Sequence, residues 1–239
     1  MHSRIIHNSR LVDATKARVR VVSPVSLYGR GVFTTLAIYN SQPFLYPAHW
    51  ARLMEHAARA GVDTSEYEEA SVRDLLAHLI EANNVKNGRA RVTLLAKTEH
   101  GFWKIKAPEP RRTDLLIMTG DPHVSSEEGL ALTVSPYRAS TLSPLTGIKS
   151  VNYLDHILAR EEARARDFDE AVAVNERGEI VSATVANIFW VINGTVHTPA
   201  LATGALAGTT RAQIMQLAGE LSVPLVEGVY DISDLGDAD

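Results

Sequence analysis

Leu145-Thr146-Gly147-Ile148-Lys149-Ser150-Val151-Asn152-Tyr153-Leu154 places one lysine where a small and apolar run meets the start of a helical pattern. A lone lysine is ordinarily a solvated surface group, because its charge is costly to bury. The opposite setting carries chemistry. Partial burial beside another cation lowers the pKa of an amine, and the neutral amine attacks a carbonyl carbon to form an imine. Downstream, Val151 to Arg166 has helical apolar spacing with many charges. Glu170 to Val174 reads as a strand that ends in the turn Asn175-Glu176-Arg177-Gly178. Short strands follow over Glu179 to Ser182, Asn187 to Ile192 and Thr195 to Thr198, and a helix runs from about Thr210 to Leu221. With Leu130 to Ser135 as a further strand, this half of the chain is an α+β module.

Upstream of the lysine, Ala17 to Val22 and Val32 to Tyr39 read as strands, and Asn40-Ser41 as a hairpin turn before Gln42 to Leu45. From Pro47 the spacing becomes helical through Leu53, Ala57 and Ala60, with Gly61 as a stop, and a second helix spans Ser71 to Asn83. Ala90 to Ala96 and Asp114 to Met118 look like buried strands. The turn-rich run from Thr119 to Ser126 is the candidate linker. The expected organisation is therefore two α+β domains, a smaller one over residues 1–120 and a larger, strand-rich one over 121–239.

Composition narrows the chemistry. The chain has 239 residues, enough for a substantial core. It contains no cysteine, which excludes disulfides, thiolate metal sites and cysteine nucleophiles, and suits a cytoplasmic protein. A net charge of -4 gives no general attraction to nucleic acid or to acidic membranes. No apolar stretch approaches the length of a membrane span, and the first residues carry no leader-like apolar region. A small-molecule ligand is the expectation, with no metal.

Two further segments bear on such a ligand. Gly204-Ala205-Leu206-Ala207-Gly208-Thr209-Thr210-Arg211 puts small residues directly before a helix, where amides and hydroxyls can receive a phosphate at the positive end of the helix dipole. A plain threonine N-cap accounts for the same letters. In His49-Trp50-Ala51-Arg52-Leu53, Arg52 sits on a helix and suits bidentate phosphate binding, although a solvated helix-face arginine looks identical in sequence.

Taken in order, these pieces resemble the class IV aminotransferases, the fold-type IV group of pyridoxal-phosphate enzymes that includes branched-chain and D-amino-acid aminotransferases and aminodeoxychorismate lyase. The resemblance covers nearly the whole chain. It runs through Tyr28-Gly29-Arg30-Gly31-Val32-Phe33-Thr34-Thr35, His49 to Leu53, Ile148 to Leu154, Ala159 to Ala163 and Asp169 to Ala171. It continues through Gly178 to Phe189, Thr198-Pro199 and Leu206 to Arg211. It implies that Lys149 is the Schiff-base lysine and proton carrier, and that Arg52 with the amides and hydroxyls at Gly208, Thr209 and Thr210 holds the cofactor phosphate. By the same resemblance Leu206 packs on the pyridine ring, Tyr153 approaches the cofactor phenolate, and Asn187 belongs to the cofactor site. Tyr28, Arg30 and Thr34 would face the substrate. A homodimer is also implied.

Three departures stand out. Most of the family has a glutamate after the Gly178 turn that keeps the pyridine nitrogen protonated, and Ser182 occupies that position here; a hydroxyl can hydrogen-bond the nitrogen without supplying the charge. Glu179, three residues along the strand, is expected on the opposite face. Arg30 stands where an acidic residue is usual. The chain stops at Asp239, where the family continues with a strand and a Thr/Ser-rich turn, so the resemblance implies a cofactor domain lacking its last segment. The expected activity is transfer of an amino group between an amino acid and a 2-oxo acid. Phe33-Thr34-Thr35 and Asn187-Ile188-Phe189-Trp190 look more like aminodeoxychorismate lyase, which releases pyruvate and 4-aminobenzoate, and Ser182 motivates a third reading as a cofactor binder without turnover.

Overall fold

The computed structural model of the chain describes residues 1–97, 113–123, 128–236 and 238–239. Two compact units emerge: Met1–Val124 with Ile148–Asn152, and Ser125–Gly147 with Tyr153–Asp239. Each mixes helices and sheets, as the α+β reading expects. Of the candidate linker, residues 124–126 lie outside the described residues.

The first unit is built from β1 (Arg4–His7), β2 (Arg10–Asp13), α1 (Pro24–Tyr28), β3 (Gly31–Tyr39), β4 (Gln42–Pro43), α2 (Tyr46–Ala60), α3 (Glu69–Ala82), β5 (Gly88–Ala96) and β6 (Thr113–Gly120). Its strands form one antiparallel sheet in the order β2-β1-β6-β5-β3-β4. Alternation in β3 sends Val32, Leu36 and Ile38 into a core with Leu53 and Ala57 of α2 and Leu76 and Leu79 of α3. Burial of each such leucine contributes about 2 kcal/mol. Asn40 and Ser41 both adopt positive φ (49° and 63°). That pair is the turn whose twist matches a two-residue hairpin between β3 and β4. Helix α2 stops at Gly61, whose left-handed backbone (φ 63°) lets its N–H reach the carbonyls of Ala57 and Ala58.

The second unit holds β7 (Leu132–Ala139), α4 (Leu154–Ala165), β8 (Glu170–Asn175), β9 (Ile180–Ala183), β10 (Trp190–Ile192), β11 (Thr195–Pro199), α5 (Thr209–Glu220) and β12 (Leu225–Gly228). They make two three-stranded sheets, β7-β8-β9 and β10-β11-β12. The pairs β7/β8 and β11/β12 are parallel. A parallel pair needs a crossover, and α4 and α5 lie in the two connections. Val172, Val174, Ile180 and Trp190 form the core.

Two expectations are corrected. Ala17 to Val22 is not a strand: it is irregular, with Val19, Val21 and Val22 exposed, because the sheet takes its outer strands from Arg4–His7 and Arg10–Asp13 instead. Nor does the helix after Lys149 begin at Val151. Ser150 instead bridges Val32 of β3, and α4 starts at Leu154. Strands β1, β2 and β12 and helix α1 are only four or five residues long, too short to show a period.

Candidate active site

Lys149 is held along the edge of β3. Val32 and Ser150 form an antiparallel bridge, with the Phe33 N–H donating to the Lys149 carbonyl at 2.9 Å and the Val151 N–H to the Gly31 carbonyl at 3.0 Å. The Lys149 N–H donates in turn to Nδ1 of His56 at 3.1 Å. Three residues further, the Asn152 side-chain amide donates to the Gly29 carbonyl at 2.8 Å. Gly29 has φ 64°, and a Cβ there would stand 2.1 Å from Asn152 Oδ1. Only glycine accepts both constraints.

Helix α2 presents His49, Arg52 and His56 at helical spacing, all three buried. Arg52 Nη2 donates to Thr34 Oγ1 at 3.0 Å, and Thr34 Oγ1 lies 2.7 Å from His49 Nδ1. The hydroxyl therefore accepts from the guanidinium and shares one hydrogen with the imidazole of His49. Burial, reinforced by the charge of Arg52, pushes His49 and His56 down from 6.5 to about 4. Both rings are neutral at pH 7, and for His56 the acceptor role of Nδ1 agrees with that.

Phe33 lies beside the lysine with its ring 4.7 Å from Nζ. The Arg91 guanidinium covers the same ring at 3.5 Å and donates from Nε to Thr93 at 3.3 Å. Burial, then Arg52 and Arg91, lowers the Lys149 amine from 10.5 to about 8. A substantial neutral fraction exists near physiological pH, as an amine nucleophile needs. The sequence reading did not single out Arg91 or His56. Arg91 had a visible signal, since in β5 Arg89, Arg91 and Thr93 alternate with the apolar Ala90, Val92 and Leu94.

Of the remaining candidates in this unit, Thr34 joins Arg52 directly. Tyr28 is exposed at the end of α1. Arg30 donates from Nε to the Ala60 carbonyl at 3.2 Å, where a cation complements the C-terminus of α2.

In the second unit Asn187, Leu206, Gly208, Thr209 and Thr210 come together. Asn187 Nδ2 donates to the Leu206 carbonyl at 2.9 Å, and that carbonyl also accepts from the Gly208 N–H at 2.8 Å. Gly208 is the N-cap of α5 and offers no side-chain cap, so the first amides at Thr209 and Thr210 are directed to the helix start without one. Behind them Arg211 is buried, donating to the Pro199 carbonyl at 3.2 Å and pairing with Glu227 at 3.0 Å. Ser182 lies on β9 opposite Ala173 and is half-buried. Glu179 is occupied elsewhere, taking Arg177 in an ion pair at 2.5 Å and the Asn175 amide at 2.7 Å. Tyr153 stacks on His156, ring centroids 4.4 Å apart. Among the described residues, no cluster of His, Asp and Glu could hold a metal ion, and no helix is long and apolar enough to cross a membrane.

The model for amino-transferase class IV matches residues 31–239. A protein of Methanocaldococcus jannaschii named as a branched-chain-amino-acid aminotransferase is 31% identical over 99% of this chain and 82% of its own. Aminodeoxychorismate lyase of Bacillus subtilis is 29% identical over 97% of this chain and 79% of its own. Among solved structures, the branched-chain aminotransferase of Thermoproteus uzoniensis superposes with a TM-score of 0.90 at 29% identity, covering 100% of this chain and 82% of that one. The fold is that of fold-type IV. Such enzymes depend on pyridoxal phosphate, and the first unit fits the carbonyl of that group with an amine of lowered pKa, Arg52 and Arg91 being close enough to act on that amine. The chain belongs to the class IV aminotransferase family, as a pyridoxal-phosphate-dependent transferase or closely related lyase.

Proposed function

We propose that the protein transfers an amino group between an amino acid and a 2-oxo acid, with Lys149 as the covalent carrier of pyridoxal phosphate. One observation carries the reading: the Lys149 amine, fixed through its backbone to β3, has its pKa lowered to about 8 beside Arg52 and Arg91. When bound, pyridoxal phosphate supplies the carbonyl that captures amines and the conjugated ring that takes up an electron pair released at the substrate's α-carbon. Lys149 Nζ then takes the α-proton and returns it, a task suited to a group poised near the working pH. Arg52 binds phosphate oxygens, its guanidinium oriented by the Thr34 hydroxyl. In the second unit, the amides and hydroxyls of Thr209 and Thr210 at the start of α5 bind phosphate, and Asn187 holds Gly208 in place through Leu206. Leu206 would pack on the ring, Tyr153 would lie near the ring hydroxyl, and Ser182 would offer the ring nitrogen a neutral hydroxyl. Thr34 and Tyr28 face the substrate, while Arg30 serves α2. The protein works as a homodimer, and its cysteine-free composition suits the cytoplasm.

A second reading, aminodeoxychorismate lyase, is favoured by the 29% identity to the Bacillus subtilis lyase over nearly the whole chain. The two are separated by adding D- and L-amino acids singly to the protein with pyridoxal phosphate. A donor that bleaches the visible band and yields its keto acid supports transfer; pyruvate and 4-aminobenzoate from aminodeoxychorismate, with no active donor, support the lyase. Silence in both leaves a cofactor binder without turnover. If Lys149→Ala still gives a covalent adduct that borohydride traps, Lys149 is not the carrier.

A further inference from the structure

We propose that His56 is the positioning residue for Lys149, holding the lysine's backbone through a hydrogen bond to its own peptide N–H so that the amine is aimed from a fixed origin. The inference rests on the reading of Lys149 as the covalent carrier and adds a residue one step behind it. Lys149 lies in the short segment Ile148–Asn152, which is bound to β3 by two ladder bonds, one on the Lys149 carbonyl. Those bonds fix one side of the residue. The N–H on the other side of its α-carbon goes to His56 Nδ1 at 3.1 Å. The imidazole is 1% exposed and comes from the middle of α2, a helix anchored in the core by Leu53 and Ala57. A long, flexible lysine side chain loses precision if its α-carbon drifts, and with it the orientation that an attack on a carbonyl needs. A ring locked in a packed helix restrains that α-carbon better than water does. The same helix carries Arg52, so a single rigid element sets both the origin of the amine and a neighbouring cation.

The geometry also fixes the tautomer. Because Nδ1 accepts from a peptide N–H, the ring proton must sit on Nε2. A burden of this kind can be carried by asparagine, whose Oδ1 branches from Cγ as Nδ1 does, and cannot be carried by leucine, which matches the volume without an acceptor.

The test compares wild type, His56→Asn and His56→Leu in the full chain. Three readouts are taken: hydrogen exchange at the Lys149 amide before cofactor is added, the rate at which pyridoxal phosphate is captured, and kcat against KM. One hydrogen bond of ordinary strength predicts that His56→Leu exchanges the Lys149 amide about fivefold faster and captures cofactor about fivefold more slowly. A loss in kcat with KM for the amino donor unchanged should accompany it, and His56→Asn should recover most of each effect. Wild-type exchange and capture in His56→Leu, or equal losses in both variants at equal melting temperature, overturns the proposal. If neither variant folds, nitrogen chemical shifts of His56 in the wild type decide: a pyridine-like Nδ1 at neutral pH supports the bond, and a protonated Nδ1 rules it out. Failure here with a normal borohydride-trapped adduct at Lys149 removes only His56 from the account. An adduct that survives Lys149→Ala removes the carrier reading instead.

Discussion

The Phe33 N–H donates to the Lys149 carbonyl at 2.9 Å, and the ring of the same Phe33 lies 4.7 Å from the Lys149 Nζ. One β3 residue therefore supports the lysine at both its backbone and its amine. The ring also carries Arg91 at 3.5 Å, which brings a second positive charge near the amine.

That arrangement predicts the effect of Arg91→Met, which keeps the aliphatic stem and removes the charge. A cation disfavours the charged form of its neighbour, so its loss should raise the Lys149 midpoint from about 8 back toward 10.5. The expected rise is the smaller part of that interval, because burial and Arg52 each contribute more than Arg91 does. Competitive acetylation of Lys149 across pH, read by mass spectrometry, measures it. A midpoint that stays or falls would mean that burial and Arg52 set the amine without Arg91.

Lys149 should also cost the folded protein stability. Its folded pKa lies below its unfolded one, so as pH falls from 10.5 to 8 the unfolded chain takes up a proton that the native chain refuses. The cost is absent above about 10.5 and fully present below about 8. It amounts to about 3 kcal/mol at pH 7. Lys149→Met should therefore be more stable than wild type at pH 7 without cofactor, and the gap should close in strongly alkaline buffer. Chemical denaturation at the two pH values checks it. A functional residue that weakens its fold is an ordinary trade.

Much of this was legible in the residues, for identifiable reasons. Helices α2 and α3 and strands β3, β5 and β6 carry clear periods, so their existence could be read directly. Gly61 announced a helix stop by residue type, and Asn40-Ser41 a turn. Ala17 to Val22 misled because alternation records an amphipathic ribbon and not the presence of a neighbouring strand. The bridge at Ser150 was hidden for the converse reason: Val151 and Leu154 suit a helix start, and only pairing with Val32 of β3 holds the chain out of one. His56 was invisible because its partner is a peptide N–H ninety-three residues away, which leaves no side-chain pattern.

The two neutral histidines of α2 predict acid sensitivity. Above pH 6.5 they are neutral in both states and cost nothing. Between 6.5 and about 4 the unfolded chain protonates them while the native chain does not, so stability falls with falling pH and levels off below 4. Each ring accounts for about 3 kcal/mol over that window. His49→Gln, which removes one of them, should roughly halve the slope of stability against pH in this range. An unchanged slope would show that His49 is protonated in the native protein.

Gly208 tests the phosphate-binding reading apart from the lysine. Its φ of -70° suits any residue, but an added Cβ would stand 2.0 Å from Asn187 Oδ1. The asparagine must then swing away, which breaks its bond to the Leu206 carbonyl and loosens the turn that sets the start of α5. Because the conflict is with a short side chain and not with backbone, Gly208→Ala should fold. It should lose affinity for pyridoxal phosphate by about tenfold, the worth of one strained polar contact, while Lys149 keeps its midpoint near 8. Adding Asn187→Ala to Gly208→Ala relieves the collision without restoring the bond, so the double variant should bind no better than Asn187→Ala alone. Equilibrium titration of the visible band gives all three affinities. If Gly208→Ala binds as wild type does, the start of α5 is not where the phosphate is held, whatever the lysine does.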